Sequence, residues 1–340
     1  MSRAYAISAA RTMARVAVIV LVGGLVFGSA LRGEIDVTVA LISAGSTLLI
    51  GLPILAFELL FVYSPLGAEF RRIPFARFVT LRSLVWGCWT LVGTAIAATT
   101  LWPIPLADLP ASPDYWITVA FSIALGTAVA GTLAVGRLVG RGVLRDFTLG
   151  RYHRPVEEER ACLFVDLVGS TALAERLGPS RFLDLLNEFV RDFETVLDGS
   201  GGEIHRYVGD EIIVTWRMHR ARDISAAPGL VFGLRRRIGE RAGFYSERFA
   251  TVPDFRAALH AGSVVVGEMG DSKPEIVLLG DTMNTAARIE QLCRELDRQF
   301  LVSAQAMDLL TLADGIRAEA MPQVAVRGRE QQVRLFALHD

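Results

Sequence analysis

Cysteine and lysine are both scarce in this chain of 340 residues. The three cysteines, Cys88, Cys162 and Cys293, lie far apart and form no Cys-x-x-Cys pair, so the sequence suggests neither a disulfide framework nor a zinc site. Lys273 is the only lysine, and the 35 basic residues are balanced by 36 acidic ones. A chain without a basic excess is not expected to bind nucleic acid.

Charge is scarce as well, and it is unevenly distributed. Charged residues make up 21% and hydrophobic residues 52% of the sequence, which excludes an intrinsically disordered chain. The first 140 residues contain 9 basic and 6 acidic residues, whereas the last 200 contain 26 and 30. The sequence therefore predicts a membrane part over 1–140, a cytoplasmic linker over 141–158 and a more polar domain over 159–340.

Four apolar runs in the first part are each close to the ~20 residues that a helix needs to cross a bilayer. They cover residues 14–31, 37–63, 78–102 and 116–139. The first run follows three arginines and has the composition of a signal peptide, but three further runs follow directly, so we interpret it as an uncleaved helix. The sequence predicts an all-α membrane half with four transmembrane helices in the lipid bilayer.

Arginines flank these runs on alternate sides. They cluster before the first run, between the second and third, and after the fourth: Arg3, Arg11, Arg15, Arg71, Arg72, Arg77, Arg137, Arg141 and Arg145. By the positive-inside rule, both termini and the polar domain are predicted to be cytoplasmic. Glu58 and Arg82 lie inside the second and third runs at similar depth, and we expect them to form an ion pair. Whether this half senses a signal or only anchors and dimerises the chain stays open.

The pattern changes at about residue 160, where short apolar runs begin to alternate with helical periodicity. Strands are predicted over 161–165, 203–207, 212–216, 255–260, 264–269 and 275–279, and helices over 179–199, 221–239 and 281–296. Small residues predict two tight connections, one at 208–211 and a hairpin turn at 261–263. Strands and helices that follow one another in this way predict an α+β domain.

Two acidic residues stand where strands end. Asp166 directly follows the first predicted strand and precedes the small-residue turn Gly169-Ser170-Thr171, while Asp210 lies in the turn at 208–211. Two hard carboxylates at neighbouring strand ends can hold Mg²⁺, with substrate phosphates completing its coordination. Backbone N–H groups in a turn that opens a helix can bind phosphate.

A third polar position lies in the last predicted helix. Asn284 and Arg288 are four residues apart and therefore share one helical face. An amide donor beside a guanidinium suits negative charge that develops on phosphorus. Each of the three features has an ordinary alternative, respectively a helix cap, a turn and a solvated helix face. Their occurrence together in one domain favours the functional interpretation.

These features fall in four sequence blocks. They are Phe-Val-Asp-Leu-Val-Gly-Ser-Thr at 164–171, Arg-Tyr-Val-Gly-Asp-Glu at 206–211, Leu-Gly-Asp-Thr-Met-Asn-Thr-Ala-Ala-Arg at 279–288 and Val-Arg-Gly-Arg at 326–329. Together they resemble the catalytic domain of the class III adenylyl/guanylyl cyclases over about 159–338. The resemblance implies an α+β class III nucleotide cyclase domain, carried here by a multi-pass protein of a bacterial inner membrane.

The resemblance implies a role for each of the phosphate-facing and metal-facing positions. Asp166, Asp210 and the backbone carbonyl of Leu167 would bind two Mg²⁺ or Mn²⁺ ions. The turn at 169–171 would meet the triphosphate of the substrate. Arg327 stands where the family usually has a lysine that contacts phosphate.

The resemblance also implies a dimer. Asn284 would orient the ribose and Arg288 would stabilise the transition state, and in this family that pair meets the aspartates only across the interface of a homodimer. The implied reaction converts ATP to 3′,5′-cyclic AMP and pyrophosphate. Two alternatives stay open: a guanylate cyclase, and a catalytically silent membrane sensor that binds nucleotide. A diguanylate cyclase is disfavoured, because only the segment 208–212 resembles that family.

The base-reading positions depart from the family pattern. Arg206 replaces the purine-selecting lysine, and Val277 stands where adenylyl cyclases carry an aspartate or threonine. Valine accepts no hydrogen bond, but Glu275 lies two residues earlier on the same face of the strand and is a candidate substitute. Lys273 is interpreted as a loop residue. ATP is the expected substrate, with the choice of purine as the least determined part of the prediction.

Overall fold

The computed structural model describes most of the chain. The described residues are 18, 21, 22, 26, 37–62, 67, 70, 73–102, 104–139, 146, 150–218, 224–322 and 333–340. The first predicted span, 14–31, lies almost wholly outside them, and so does Arg327. Contacts within the chain divide it into two units, Met1–Gly140 and Arg141–Asp340.

The first unit is built from long helices. They are α1 (Val37–Ala56), continued by a π-helical segment (Phe57–Val62), then α2 (Phe75–Leu101) and α3 (Pro113–Val139). Helix α1 packs on α2, and α2 packs on α3. Among the described residues, two helices are long and apolar enough to cross a membrane, Val37–Val62 and Ala76–Leu101. These two correspond to the second and third predicted spans, whereas the full set of four is not established.

The ion pair predicted inside these helices is confirmed. The Nε of Arg82 lies 2.6 Å from the Oε1 of Glu58, and the indole N–H of Trp86 donates to the same oxygen at 3.0 Å. Both charged side chains are buried, and the guanidinium lies 5.2 Å from the ring centroid of Trp86. A buried pair with these contacts ties the end of α1 to α2, because separating the charges would leave each of them without its main partner.

The second unit is an α+β domain. Its strands are β1 (Val156–Leu167), β2 (Glu203–Val208), β3 (Glu211–Arg217), β4 (Phe255–Met269), β5 (Glu275–Leu279), β6 (Phe300–Ser303), β7 (Arg317–Ala320) and β8 (Leu335–His339). Its helices are α4 (Ser170–Leu177), α5 (Pro179–Leu197), α6 (Ala227–Glu240), α7 (Ala242–Phe249), α8 (Asp281–Glu295) and α9 (Ala304–Met307). The sheet order is β2-β3-β1-β4-β6-β8-β7, with β5 paired to β4, and the β4–β6 pair is parallel while the other pairs are antiparallel.

Helices cover both faces of this sheet. On one face, alternate residues of β1 such as Leu163 and Val165 join the main core with α5, α6 and α7. On the other face, Cys162 and Phe164 pack against Ala286 of α8. The alternation of side chains along a strand therefore places Asp166, two residues after Phe164, on the face that α8 covers.

The predicted hairpin at 261–263 is wrong, because β4 is one uninterrupted strand from Phe255 to Met269. Ala261 and Gly262 continue the ladder opposite Ala161 and Arg160 of β1. Gly262 does not have a positive φ. A Cβ atom there would lie 2.7 Å from the Oγ1 of Thr282, so the close approach of α8 requires glycine at this position.

Other boundaries also differ from the sequence predictions. Helix α6 begins at Ala227, within the predicted helix 221–239, and α7 was not predicted at all. Strand β1 begins at Val156, inside the segment predicted as a linker. Just before it, the buried side chain of Tyr152 packs against Val264 and Val266 of β4.

Candidate active site

The ends of β1 and β3 bring the two aspartates together. In the antiparallel ladder Val165 pairs with Ile212, so the next position places Asp166 opposite Glu211 and beside Asp210. The turn between β2 and β3 is tight because Gly209 adopts a φ of 64°, a left-handed conformation that favours glycine. Both aspartates are partly buried.

Burial and like charge perturb these carboxyl groups. Burial and the charges of Asp210 and Glu290 raise the pKa of Asp166 to about 7, and Asp210 also shares a hydrogen bond with it. Burial and the charges of Glu290 and Asp210 raise the pKa of Glu211 to about 7. Four acidic side chains thus act on one another at this edge of the sheet, which is a favourable environment for a cation.

The donor set fits divalent metal ions. The Oδ2 atom of Asp210 is buried and has no hydrogen-bond partner among the described residues. Carboxylate oxygens are preferred ligands of Mg²⁺ and Mn²⁺. No group of three or more acidic, histidine or cysteine side chains in the described part of the chain has metal-site geometry, so part of the coordination would come from backbone, water or substrate. The side chain of Leu167 is buried in the core, which leaves its backbone as the part that can serve here.

The turn after β1 opens a helix without a side-chain cap. Gly169 has a φ of 69° and immediately precedes α4, whose first residue is Ser170. The first N–H groups of a helix have no intrahelical partner. Ser170 is partly buried and Thr171 is exposed, so this turn is accessible to an anionic group.

Asn284 and Arg288 lie on the side of α8 that faces away from the sheet. The buried residues of this helix form the opposite face: Thr282, Thr285, Ala286, Ile289, Leu292 and Cys293. Asn284 is exposed and Arg288 partly exposed, and neither makes a hydrogen bond or ion pair within the described part of the chain. Within one chain, the structure therefore does not bring this pair together with Asp166 and Asp210.

A second charged group connects β2 to β5. Arg206 donates a hydrogen bond through Nη2 to Oε2 of Glu275, and the Nζ of Lys273 lies 2.9 Å from Oε1 of Glu275. The hydrogen bond from Lys273 and the charges of Lys273 and Arg206 hold the pKa of Glu275 below its usual range. Val277 is 8% exposed. Because side chains alternate along β5, Glu275 and Val277 share one face.

The sequence interpretation missed two participants. Glu290 acts on Asp166 and Glu211, and its spacing of four residues from the buried Ala286 is the signal that places it near the sheet side of α8. Lys273, interpreted as a loop residue, is a direct partner of Glu275. Its position two residues before Glu275 was the available signal.

Comparisons with known proteins agree with this arrangement. The family model of the adenylate and guanylate cyclase catalytic domain matches residues 154–340. Adenylate cyclase 2 of Rhizobium meliloti (strain 1021) is 35% identical over 305 residues, covering 88% of this chain and 83% of that protein. A receptor-type guanylate cyclase of Caenorhabditis elegans is 28% identical over 208 residues, covering 61% of this chain and 15% of that protein.

A solved structure shows the same fold. A bacterial light-regulated adenylyl cyclase superposes with a TM-score of 0.54 at 19% identity, covering 64% of this chain and 63% of that one. The match to the Rhizobium protein is longer than the second unit, so it includes part of the first 140 residues. The chain belongs to the class III adenylyl/guanylyl cyclase family, and its catalytic domain is that of a purine nucleotide cyclase.

Proposed function

We propose that the protein is a membrane-anchored adenylate cyclase that converts ATP to 3′,5′-cyclic AMP and pyrophosphate in a homodimer. The observation that carries the proposal is the pair Asp166 and Asp210, with a buried, unpartnered carboxylate oxygen, in a domain of the cyclase family. Asp166, Asp210 and the carbonyl of Leu167 would hold two Mg²⁺ or Mn²⁺ ions. When bound, such ions acidify the ribose 3′-hydroxyl and offset the charge of the triphosphate and the leaving pyrophosphate.

The chain's own residues would then bind and orient the nucleotide. The uncapped N–H groups after Gly169, with Ser170 and Thr171, suit the triphosphate. Arg288 carries a guanidinium without an ion-pair partner among the described residues, so its charge is available to stabilise an anionic transition state. Asn284 on the same face would orient the ribose. Arg327, at the position of a phosphate-contacting lysine, would add a further phosphate contact.

A homodimer would complete the site. Asn284 and Arg288 face away from the sheet of their own chain, so a second copy is needed to present them to Asp166 and Asp210. Exposed apolar side chains near the end of β4 and on β5, namely Val265, Met269 and Leu279, provide surface for such contact.

The substrate assignment rests on chemistry and on relatives. Arg206 can donate to N1 of adenine, and Glu275 beside it can accept from the amino group. The Rhizobium relative is named an adenylate cyclase. A guanylate cyclase is the second candidate, because Arg206 could equally donate to O6 of guanine and the Caenorhabditis elegans relative is named a guanylate cyclase. A silent nucleotide-binding sensor is the third.

The first 140 residues would anchor the enzyme. Two helices suited to a bilayer and the buried Glu58–Arg82 pair support a membrane domain over 1–140. We propose four spans, with both termini and the catalytic domain in the cytoplasm of a bacterial cell, a linker over 141–158 and a catalytic domain over 159–340. Because β1 begins at Val156, a fragment made for assay should start at or before residue 141.

The test is a cyclase assay of the full chain in membranes or detergent, with ATP and GTP in turn and Mn²⁺ present. We expect metal-dependent release of cyclic AMP and pyrophosphate, with kcat/KM for ATP about 10-fold above that for GTP. A higher kcat/KM for GTP would replace the adenylate cyclase with a guanylate cyclase. Tight nucleotide binding without turnover would instead identify a sensor.

A further inference from the structure

The charged group formed by Arg206, Glu275 and Lys273 is partly open to solvent. The side chain of Arg206 is 42% exposed and that of Glu275 is 38% exposed. Arg206 donates one N–H to Glu275, and its other N–H groups have no partner in the described part of the chain. Each oxygen of Glu275 faces one cation and retains acceptor capacity. A free donor and a free acceptor therefore lie side by side.

An apolar residue lies beside this donor and acceptor. Val277 shares the β5 face with Glu275 and is 8% exposed, so it offers a small apolar surface at the edge of the polar group. A purine ring needs this combination: apolar contact for its face, and a donor next to an acceptor for the atoms at positions 1 and 6 of its edge. Val277 itself has no polar atom and cannot read that edge.

We propose that Glu275 is the acceptor that reads the purine base, that Arg206 is its paired donor, and that Lys273 is a positioning residue that holds the Glu275 carboxylate. The proposal rests on the cyclase function proposed above and assigns its base specificity to a place two residues before Val277 on β5. With adenine, Glu275 accepts a hydrogen bond from the 6-amino group and Arg206 donates to N1. With guanine, the same two groups meet N1–H and O6 in the reverse order.

This assignment explains why discrimination between purines should be modest. A donor and an acceptor that can be used in either order give each base two hydrogen bonds, so selectivity depends on how firmly the carboxylate is held. Lys273 restricts the Glu275 carboxylate from the side opposite Arg206, because the two cations contact different oxygens. We expect Lys273→Met to reduce the preference for ATP by about 2- to 3-fold.

The experiment compares ATP with purine riboside triphosphate, which lacks the 6-amino group and keeps N1. In the full-length chain we expect kcat/KM for ATP to exceed that for the analogue by about 10-fold or more, because the analogue leaves the Glu275 acceptor unused. Glu275→Ala should lower the value for ATP and leave the analogue nearly unchanged, so the ratio approaches one. Glu275→Gln keeps an acceptor oxygen and should restore part of the ratio.

Two controls separate base reading from general damage. Glu319→Gln removes another exposed carboxylate with two cationic neighbours, Arg298 and His339, and should leave the ratio unchanged. Val277→Ala should lower both substrates equally, because it removes contact with the ring and no edge hydrogen bond.

An unchanged ratio in Glu275→Ala, or a ratio that falls equally in Val277→Ala, would overturn the proposal while leaving the cyclase assignment intact. If the chain turned over no nucleotide, the cyclase proposal would fail by itself. The same ratio would then be measured from equilibrium binding, by displacement of a fluorescent nucleotide with ATP and with the analogue, and the same outcomes would decide.

Discussion

At the scale of single residues, the metal site is a compromise between stability and function. Asp166 and Asp210 are held close together, partly out of water, with Glu211 and Glu290 nearby. Such a cluster destabilises the metal-free fold, because each negative charge raises the free energy of ionising the next. The same arrangement gives a divalent cation a strong binding site, so the cost is recovered when metal and substrate are bound.

Replacing one aspartate should therefore have opposite effects on activity and on stability. Asp210→Asn keeps the shape of the side chain but removes a charge, so we expect kcat/KM to fall by about 100-fold or more. We also expect the metal-free chain to melt a few degrees higher at pH 8, since repulsion on Asp166 is relieved. Activity within about threefold of the unmodified chain at saturating Mn²⁺ would contradict the metal assignment.

The pH dependence of the metal-free chain gives the same test a sign. A carboxyl whose pKa is raised from 3.8 to about 7 on folding keeps its proton in the folded state over that range. Ionising it costs stability, so the contribution of Asp166 favours the folded state below about pH 4 and is lost as the pH rises through about 7. The gap in melting temperature between Asp210→Asn and the parent should accordingly widen from pH 5 to pH 8, with Glu319→Gln showing no such change.

The site residues that the sequence predicted are those with local signals. Asp166 and Asp210 each follow or precede a strand beside a small-residue turn, and the strands were recognisable from their apolar runs. Glu290 was missed because its importance depends on which side of α8 packs on the sheet. That orientation is set by tertiary contacts such as Ala286 against Phe164, which no local pattern states.

At the scale of elements, the contact of α8 with β4 fixes where Asn284 and Arg288 lie. Gly262 allows α8 to approach the strand, and Thr282 in the first turn of α8 donates a hydrogen bond to the carbonyl oxygen of Ser263 at 2.6 Å. The sequence reasoning took the glycine as a turn residue. A glycine needed for a positive φ and a glycine needed for close packing look alike in sequence, and only the approach of a distant helix distinguishes them.

Gly262→Ala should strain this contact. The new Cβ would meet the Oγ1 of Thr282 at 2.7 Å, so we expect a loss of about 1–3 kcal/mol in the free energy of unfolding and a lower kcat as α8 shifts. Adding Thr282→Ala should remove most of the extra loss, which a double-mutant cycle of melting curves measures. Gly243→Ala, where a Cβ meets nothing within 4 Å, is the matched control. Additive losses would show that Thr282 is not the obstacle.

At the scale of the whole molecule, the two units obey different solvents. The helices of the first unit expose apolar side chains such as Leu84 and Val92 in a way that suits lipid, whereas the second unit encloses its core between helices and sheet. The number of spans was predicted from run length alone, and only the second and third of the four have a counterpart among the helices that meet the criteria for a membrane span.

The topology has its own test. Cysteines introduced at position 2 and at position 111, one at a time, would be exposed to a membrane-impermeant thiol reagent in intact cells. Ala111→Cys, in the loop between α2 and α3, should be labelled, and Ser2→Cys should be labelled only after the membrane is opened. Labelling of Ser2→Cys in intact cells would contradict four spans with both ends in the cytoplasm.

The central claim is that one chain supplies the metal carboxylates and a second supplies Asn284 and Arg288. The measurement is activity after co-expression of two inactive chains, Asp166→Ala and Arg288→Ala. Each alone should be nearly inactive, and the mixture should regain about a quarter of the parent activity, since half of the dimers are mixed and each rebuilds one intact site of two. Asp166→Ala with Asp210→Asn, both defective in the same half, should regain none. Failure of the first pair to complement, with mixed dimers shown to form, would place the whole site within one chain and contradict the account.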